Sequence, residues 1–82
     1  MNIYVGNLAR DVTDADLKEA FQSFGTLAKV TVVIDKKSGE SRGFGFVEMD
    51  SEDEATAAIK GLNGTDLKGV NLLVNEARSR RD

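Results

Sequence analysis

Arg42 to Met49 reads Arg-Gly-Phe-Gly-Phe-Val-Glu-Met, two flat rings spaced two residues apart beside a permanent cation. In a strand, successive side chains point to opposite faces. Arg42, Phe44, Phe46 and Glu48 then share one face, and Gly43, Gly45, Val47 and Met49 share the other. The second set has the character of a core face, with glycines where a helix must approach closely. The first set puts two large aromatics where a folded domain normally avoids them, which marks a binding surface. Rings beside a cation suit a ligand of stackable bases joined by phosphates. The alternative from the octet alone is that both rings are core and the glycines mark a bulge.

Several function classes are excluded by composition. The 82 residues suffice for one domain, and so small a domain buries only about 60% of its unfolded surface. Cysteine and histidine are both absent. There is thus no disulfide framework or thiolate metal site, and the commonest general base and metal ligand is missing. No metal-ligand cluster or nucleophile–base pair is evident, so no catalysis and no cofactor are expected. No apolar run is long enough to span a membrane. A strand-like pattern begins at Ile3, which leaves no room for a signal peptide and points to an intracellular, cytoplasmic protein. Eleven basic and fourteen acidic residues give a net charge of −3, unlike the basic balance of most nucleic-acid-binding domains.

The elements that position the octet follow from periodicity. Asn2 to Gly6 is a strand with Ile3 and Val5 on one face and Tyr4 on the other; a polar connection runs from Asn7 to Val12. Thr13 suits an N-cap, with Asp14 and Asp16 in the first turn, where the helix dipole favours negative charge. The helix is expected from Asp14 to Phe24, stopping at Gly25, with Leu17, Ala20, Phe21 and Phe24 as one apolar stripe. Leu27 to Asp35 reads as a strand, with Val30, Val32 and Ile34 facing the core and Lys29, Thr31, Val33 and Asp35 facing away. A basic turn over 36–41 joins it to the octet as a hairpin. Ser51 and Glu54 form a capping-box pattern ahead of a second stripe, Ala55, Ala58, Ile59 and Leu62. Asn63-Gly64 marks a tight turn. Leu67 to Ala77 holds a lead-in and the last strand, with Leu72 and Val74 on the core side.

The order β-α-β-β-α-β is the split βαβ arrangement. The fold class is α+β: a ferredoxin-like sandwich whose two helices cover one face of a four-stranded antiparallel sheet. Right-handed crossovers place the first and third strands side by side in the middle, with Tyr4 next to Phe44 and Phe46.

On these residues the chain resembles the RNA recognition motif family. Ile3-Tyr4-Val5-Gly6-Asn7-Leu8 is similar to that family's hexamer motif and Arg42 to Met49 to its octamer. The wording also resembles short single-domain bacterial RNA-binding proteins, themselves similar to plant glycine-rich ones. The resemblance implies that Tyr4, Phe44 and Phe46 are the aromatic contacts, and that the end of the last strand, Asn75 and Ala77, contacts bases through its main chain. Met49 departs from the usual closing Phe or Tyr but faces the core, where methionine packs well.

Around the triad, Arg42 suits a phosphate contact, and Asn7 either touches a nucleotide or closes the strand-to-helix turn. Thr31, Val33, Leu73 and Asn75 face the open side by parity, while Lys29, Lys36, Lys37 and Arg78 supply positive charge. Asp35, Glu48 and Glu76 are expected on or near the binding side, opposing phosphate. The expectation is a module over 1–78, with a charged tail over 79–82, that binds single-stranded RNA as a monomer, with single-stranded DNA a close variant. The alternative is a protein-interaction module on the same fold, which loss of the sheet aromatics would favour.

Overall fold

The computed structural model describes residues 1–77. Its elements are β1 (Asn2–Gly6), α1 (Asp14–Gln22), β2 (Leu27–Ile34), β3 (Ser41–Met49), α2 (Glu52–Leu62), β4 (Asp66–Leu67), β5 (Val70–Asn71) and β6 (Leu73–Glu76). Four strands form an antiparallel sheet in the order β2-β3-β1-β6, which puts the hexamer and octamer strands at its centre. Alternation decides which face is core. Ile3 and Val5 of β1, Val47 and Met49 of β3, and Val74 of β6 are buried against Leu17 and Phe21 of α1 and Ala55 and Ala58 of α2. Burying each of the larger apolar side chains contributes about 1.5–3 kcal/mol. No helix of the described residues is long and apolar enough to cross a membrane.

The 7–12 connection is not simply polar: Leu8 and Val12 are both buried. The Leu8 N–H donates to Gly43 O (2.9 Å) and the Ser41 N–H to Arg10 O (3.0 Å), which lays the connection along β3 and buries Ser41.

Helix α1 ends at Gln22, earlier than expected, and the chain turns through Phe24 N–H to Phe21 O (2.9 Å). Phe24 remains half-buried against the core. The full capping box belongs to this helix. Thr13 Oγ1 accepts from the Asp16 N–H (3.3 Å), and Asp16 Oδ2 accepts from the Thr13 N–H (2.9 Å). At α2, Ser51 Oγ accepts from the Glu54 N–H (3.3 Å), but the Glu54 carboxylate instead accepts from the Thr26 N–H (3.2 Å). The expected box is therefore half made, and its carboxylate ties α2 to the entry of β2. Asp14 does likewise, accepting from the Val32 N–H on the edge strand (2.8 Å).

The octet's glycines have two different causes. A Cβ on Gly45 would lie 2.5 Å from Thr31 O and 3.4 Å from Leu17 Cδ1, so the neighbouring strand, more than the helix, demands glycine there. Gly43 has a φ of +97°, and a Cβ there would meet only Leu8 O, at an ordinary 4.0 Å, so backbone conformation and not crowding favours glycine. There the β2–β3 register jumps from Val32↔Gly45 to Ile34↔Ser41, leaving two extra residues on β3. Bulges sharpen twist, and past this one Ile34, expected in the core, is 43% exposed.

The lead-in before the last strand is a hairpin, β4–β5, closed by Lys68-Gly69 with both φ positive. Lys68 Nζ reaches Asp16 Oδ2 (3.1 Å) and the Asp11 backbone O (3.2 Å), pinning the hairpin to the start of α1. Asn63-Gly64 does turn the chain, and Asn63 Oδ1 also accepts from the Val74 N–H (3.0 Å).

Candidate nucleic-acid interface

The face away from the helices is a lattice of opposed residues. Opposed residues of an antiparallel pair project to the same side, with Cβ atoms about 4.5–5.5 Å apart. One row runs Thr31–Phe46–Tyr4–Asn75 across all four strands. The row toward the octet's start contains Phe44, Gly6 and Leu73; the row toward its end contains Lys29, Glu48 and Asn2. The Ala77 N–H donates to Asn2 O (2.9 Å), extending that row to the end of the last strand.

The three rings form one cluster. Tyr4 stacks near-parallel on Phe44, with centroids 6.2 Å apart and planes 25° apart. Phe46 meets both edge-on, at 5.9 Å from Tyr4 and 6.1 Å from Phe44. Phe46 is 41% exposed, whereas Tyr4 and Phe44 are half-buried. Edge-to-face and offset arrangements at these separations are favourable for aromatic pairs, so the rings fix one another while leaving flat surface in solvent. Neither phenylalanine is core, although one glycine of the octet, Gly43, does mark a bulge.

Gly6 completes the platform. The Tyr4 ring lies back over it, so that a Cβ there would stand 2.6 Å from Tyr4 Oη. Sequence reasoning passed over this glycine, although strand parity places it on the face of Tyr4. Asn2 was also passed over and has the same parity.

The remaining predicted residues divide. Lys29, Thr31, Leu73 and Asn75 lie exposed on the open face, Leu73 at 53%. Ala77 is half-buried at the end of the sheet, and Val33 is half-buried at the register jump. Arg42 is exposed in the stretch of β3 that the register jump leaves unpaired with β2. Asn7 has φ +57° and its Nδ2 donates to Asn71 O (2.6 Å), so its amide joins the first loop to β5. Arg78 and the tail over 79–82 lie outside the described residues.

The carboxylates are arranged differently from expectation. Glu76 opposes the buried Ile3 and so takes the parity of the helix side. Asp35 lies beyond β2 and its Oδ1 accepts from the Lys37 N–H (2.9 Å), closing the hairpin loop. Among the described residues of the open-face rows, Glu48 is the one carboxylate.

Known proteins resemble this chain along most of its length. Residues 3–73 match the family model described as RNA recognition motif. A Nostoc sp. protein named "Putative RNA-binding protein RbpB" is 48% identical over 82 residues, covering 100% of this chain and 80% of that one. The crystal structure of RNA Binding Protein PG1 superposes with a TM-score of 0.91 at 44% identity, covering 100% of this chain and 99% of the other. The solved Sxl-lethal protein/RNA complex superposes with a TM-score of 0.90 at 34% identity, covering 99% of this chain and 48% of its own.

Proposed function

The chain belongs to the RNA recognition motif family, and from that premise we propose that it binds single-stranded RNA by stacking two or three bases on Tyr4, Phe44 and Phe46. The observation that carries this reading is the ring cluster itself: three mutually packed aromatics on the sheet face that the helices leave open. Base–aromatic stacking is worth about 1–3 kcal/mol per base, so two or three stacked bases supply useful affinity to a domain of net charge −3. Lys29, Arg42 and the Lys36-Lys37 loop offer exposed cations for the phosphates. Leu73 and Asn75 offer an apolar and a hydrogen-bonding neighbour for bases that run toward β6. The reading takes residues 1–78 as the binding module, acting without catalysis as a cytoplasmic monomer.

Stacking does not sense the 2′-hydroxyl, so single-stranded DNA is a close competitor in this reading. A duplex is not, because its bases hide their faces from a flat platform. Titration of one sequence as single-stranded RNA, single-stranded DNA and duplex RNA tests the proposal. Binding of the single strands with little or none of the duplex is expected. Failure to bind any single strand would refute it and favour a protein partner at Leu73 and the rings.

A further inference from the structure

An acidic side chain in the middle of a surface that receives a polyanion needs a reason. Glu48 stands on the open face two residues along β3 from Phe46, at roughly 3.3 Å of rise per residue. It lies directly between Lys29 on β2 and Asn2 on β1, and all three are exposed. Opposed Lys and Glu on neighbouring strands are placed for an ion pair, yet both ion pairs among the described residues belong to Lys68. Among the described residues the Glu48 carboxylate thus has no ion-pair partner, and it stands beside the most exposed ring of the cluster.

We propose that Lys29, Glu48 and Asn2 read the Watson–Crick edge of a guanine stacked on Phe46, with Glu48 as the residue that selects it. The inference rests on the single-stranded RNA reading above. A carboxylate is an acceptor only, with two oxygens. Guanine presents two adjacent donors on that edge, N1–H and the N2 amino group, with the O6 acceptor beside them. Adenine and cytosine each present one amino group next to an unprotonated ring nitrogen, whose lone pair would face a carboxylate oxygen. Uracil presents one N–H flanked by two carbonyls. Guanine alone gives both oxygens a donor. Lys29, a donor only, lies on one side of Glu48 to meet O6, and the Asn2 amide lies on the other to accept from the N2 amino group. The simpler account is that Glu48 only weakens phosphate attraction. It makes a different prediction, because repulsion from phosphates is the same whichever base is present.

The test is a set of uridine octamers carrying one central guanosine, inosine, adenosine or uridine, titrated with the wild type and with Glu48→Gln. A thermal melt of each protein confirms that it is folded. The wild type is expected to favour guanosine over adenosine and uridine by roughly tenfold, the scale of one bidentate base contact. Inosine, which lacks the N2 amino group, falls between. Glu48→Gln is expected to erase most of the guanosine advantage while binding the all-uridine octamer at least as well as the wild type. Two results would overturn the inference with RNA binding intact: a guanosine advantage unchanged in Glu48→Gln, or a wild type that ranks guanosine level with uridine. The inosine comparison needs no variant, and equal binding of inosine and guanosine would remove the role of the N2 amino group. Absence of binding to every octamer would instead refute the RNA-binding reading beneath it.

Discussion

The Tyr4 ring rests over Gly6, close enough that a Cβ at position 6 would meet the ring at 2.6–2.9 Å. Phe44 is the cross-strand partner of Gly6 and stacks on that same ring, so glycine at position 6 sets where the platform lies. Gly6→Val is expected to lift Tyr4 out of the cluster and weaken RNA binding by about 1 kcal/mol or more, up to the worth of one stacked base. The strand should persist, since valine favours strands. Binding titration beside a thermal melt checks this. Unchanged affinity would show that Tyr4 does not need its present position.

Val47 is 1% exposed and opposes Ile3 and Val30 on the helix side of the sheet. Val47→Asp buries an unpaired charge among apolar neighbours. A loss of about 4 kcal/mol or more is expected, enough to unfold much of a small domain at room temperature. Circular dichroism at room temperature reads this directly. The same substitution at Phe46, on the opposite face, should leave the domain folded.

The contact between the β4–β5 hairpin and α1 makes stability depend on pH at two extremes. The Thr13 N–H, and then Lys68, hold the Asp16 carboxyl below its ordinary value of 3.8. The Asp16 hydrogen bond holds the Lys68 amine above its ordinary 10.5. A depressed acid stabilises fully above its unfolded pKa and loses that contribution as pH falls through the lower folded value. Asp16→Ala should therefore be less stable than wild type at neutral pH, with the gap closing below about pH 3.8. A raised amine stabilises fully below its unfolded pKa, so Lys68→Met should differ from wild type at neutral pH and converge with it above about pH 10.5. Lys68 is exposed and Asp16 is partly so, so added salt should shrink both gaps. Denaturant midpoints across pH measure them.

Few cations border the rings, and Glu48 stands among them. Each phosphate neutralised on a single strand contributes a log–log salt slope of about −0.7, so two or three contacts give roughly −1.5 to −2. Arg42→Ala should flatten the slope by about 0.7. Affinities from low to moderate salt test this, and a slope unchanged in Arg42→Ala would remove Arg42 from the phosphate contacts.

Period-2 and period-3.6 patterns carried most of the fold, because burial on one face imposes them directly. Ile3, Val5, Val47 and Val74 face the helices, and Tyr4, Phe44 and Phe46 face away, as alternation requires. What alternation does not encode is where it breaks. The two extra residues at Gly43 turn Ile34 out to solvent, and the left-handed Lys68-Gly69 turn makes a hairpin from what reads as a lead-in. Nor does local sequence say which of several reachable donors a carboxylate takes. Glu54 sits three residues after an N-cap serine yet bonds Thr26, 28 positions away in sequence. Glu76 likewise takes the helix-side parity set by its cross-strand partner Ile3, whereas Asp35 accepts from the Lys37 N–H two residues on, a local bond that closes the hairpin loop.

The most direct test of the account is RNA affinity in Phe44→Ala and Phe46→Ala, measured with a single-stranded octamer at fixed salt. Both rings stand outside the core and within one cluster. Each variant is expected to melt cooperatively and to bind about 1–3 kcal/mol more weakly than wild type. Wild-type affinity in both folded variants would contradict the account, because the rings would then not be what holds the RNA.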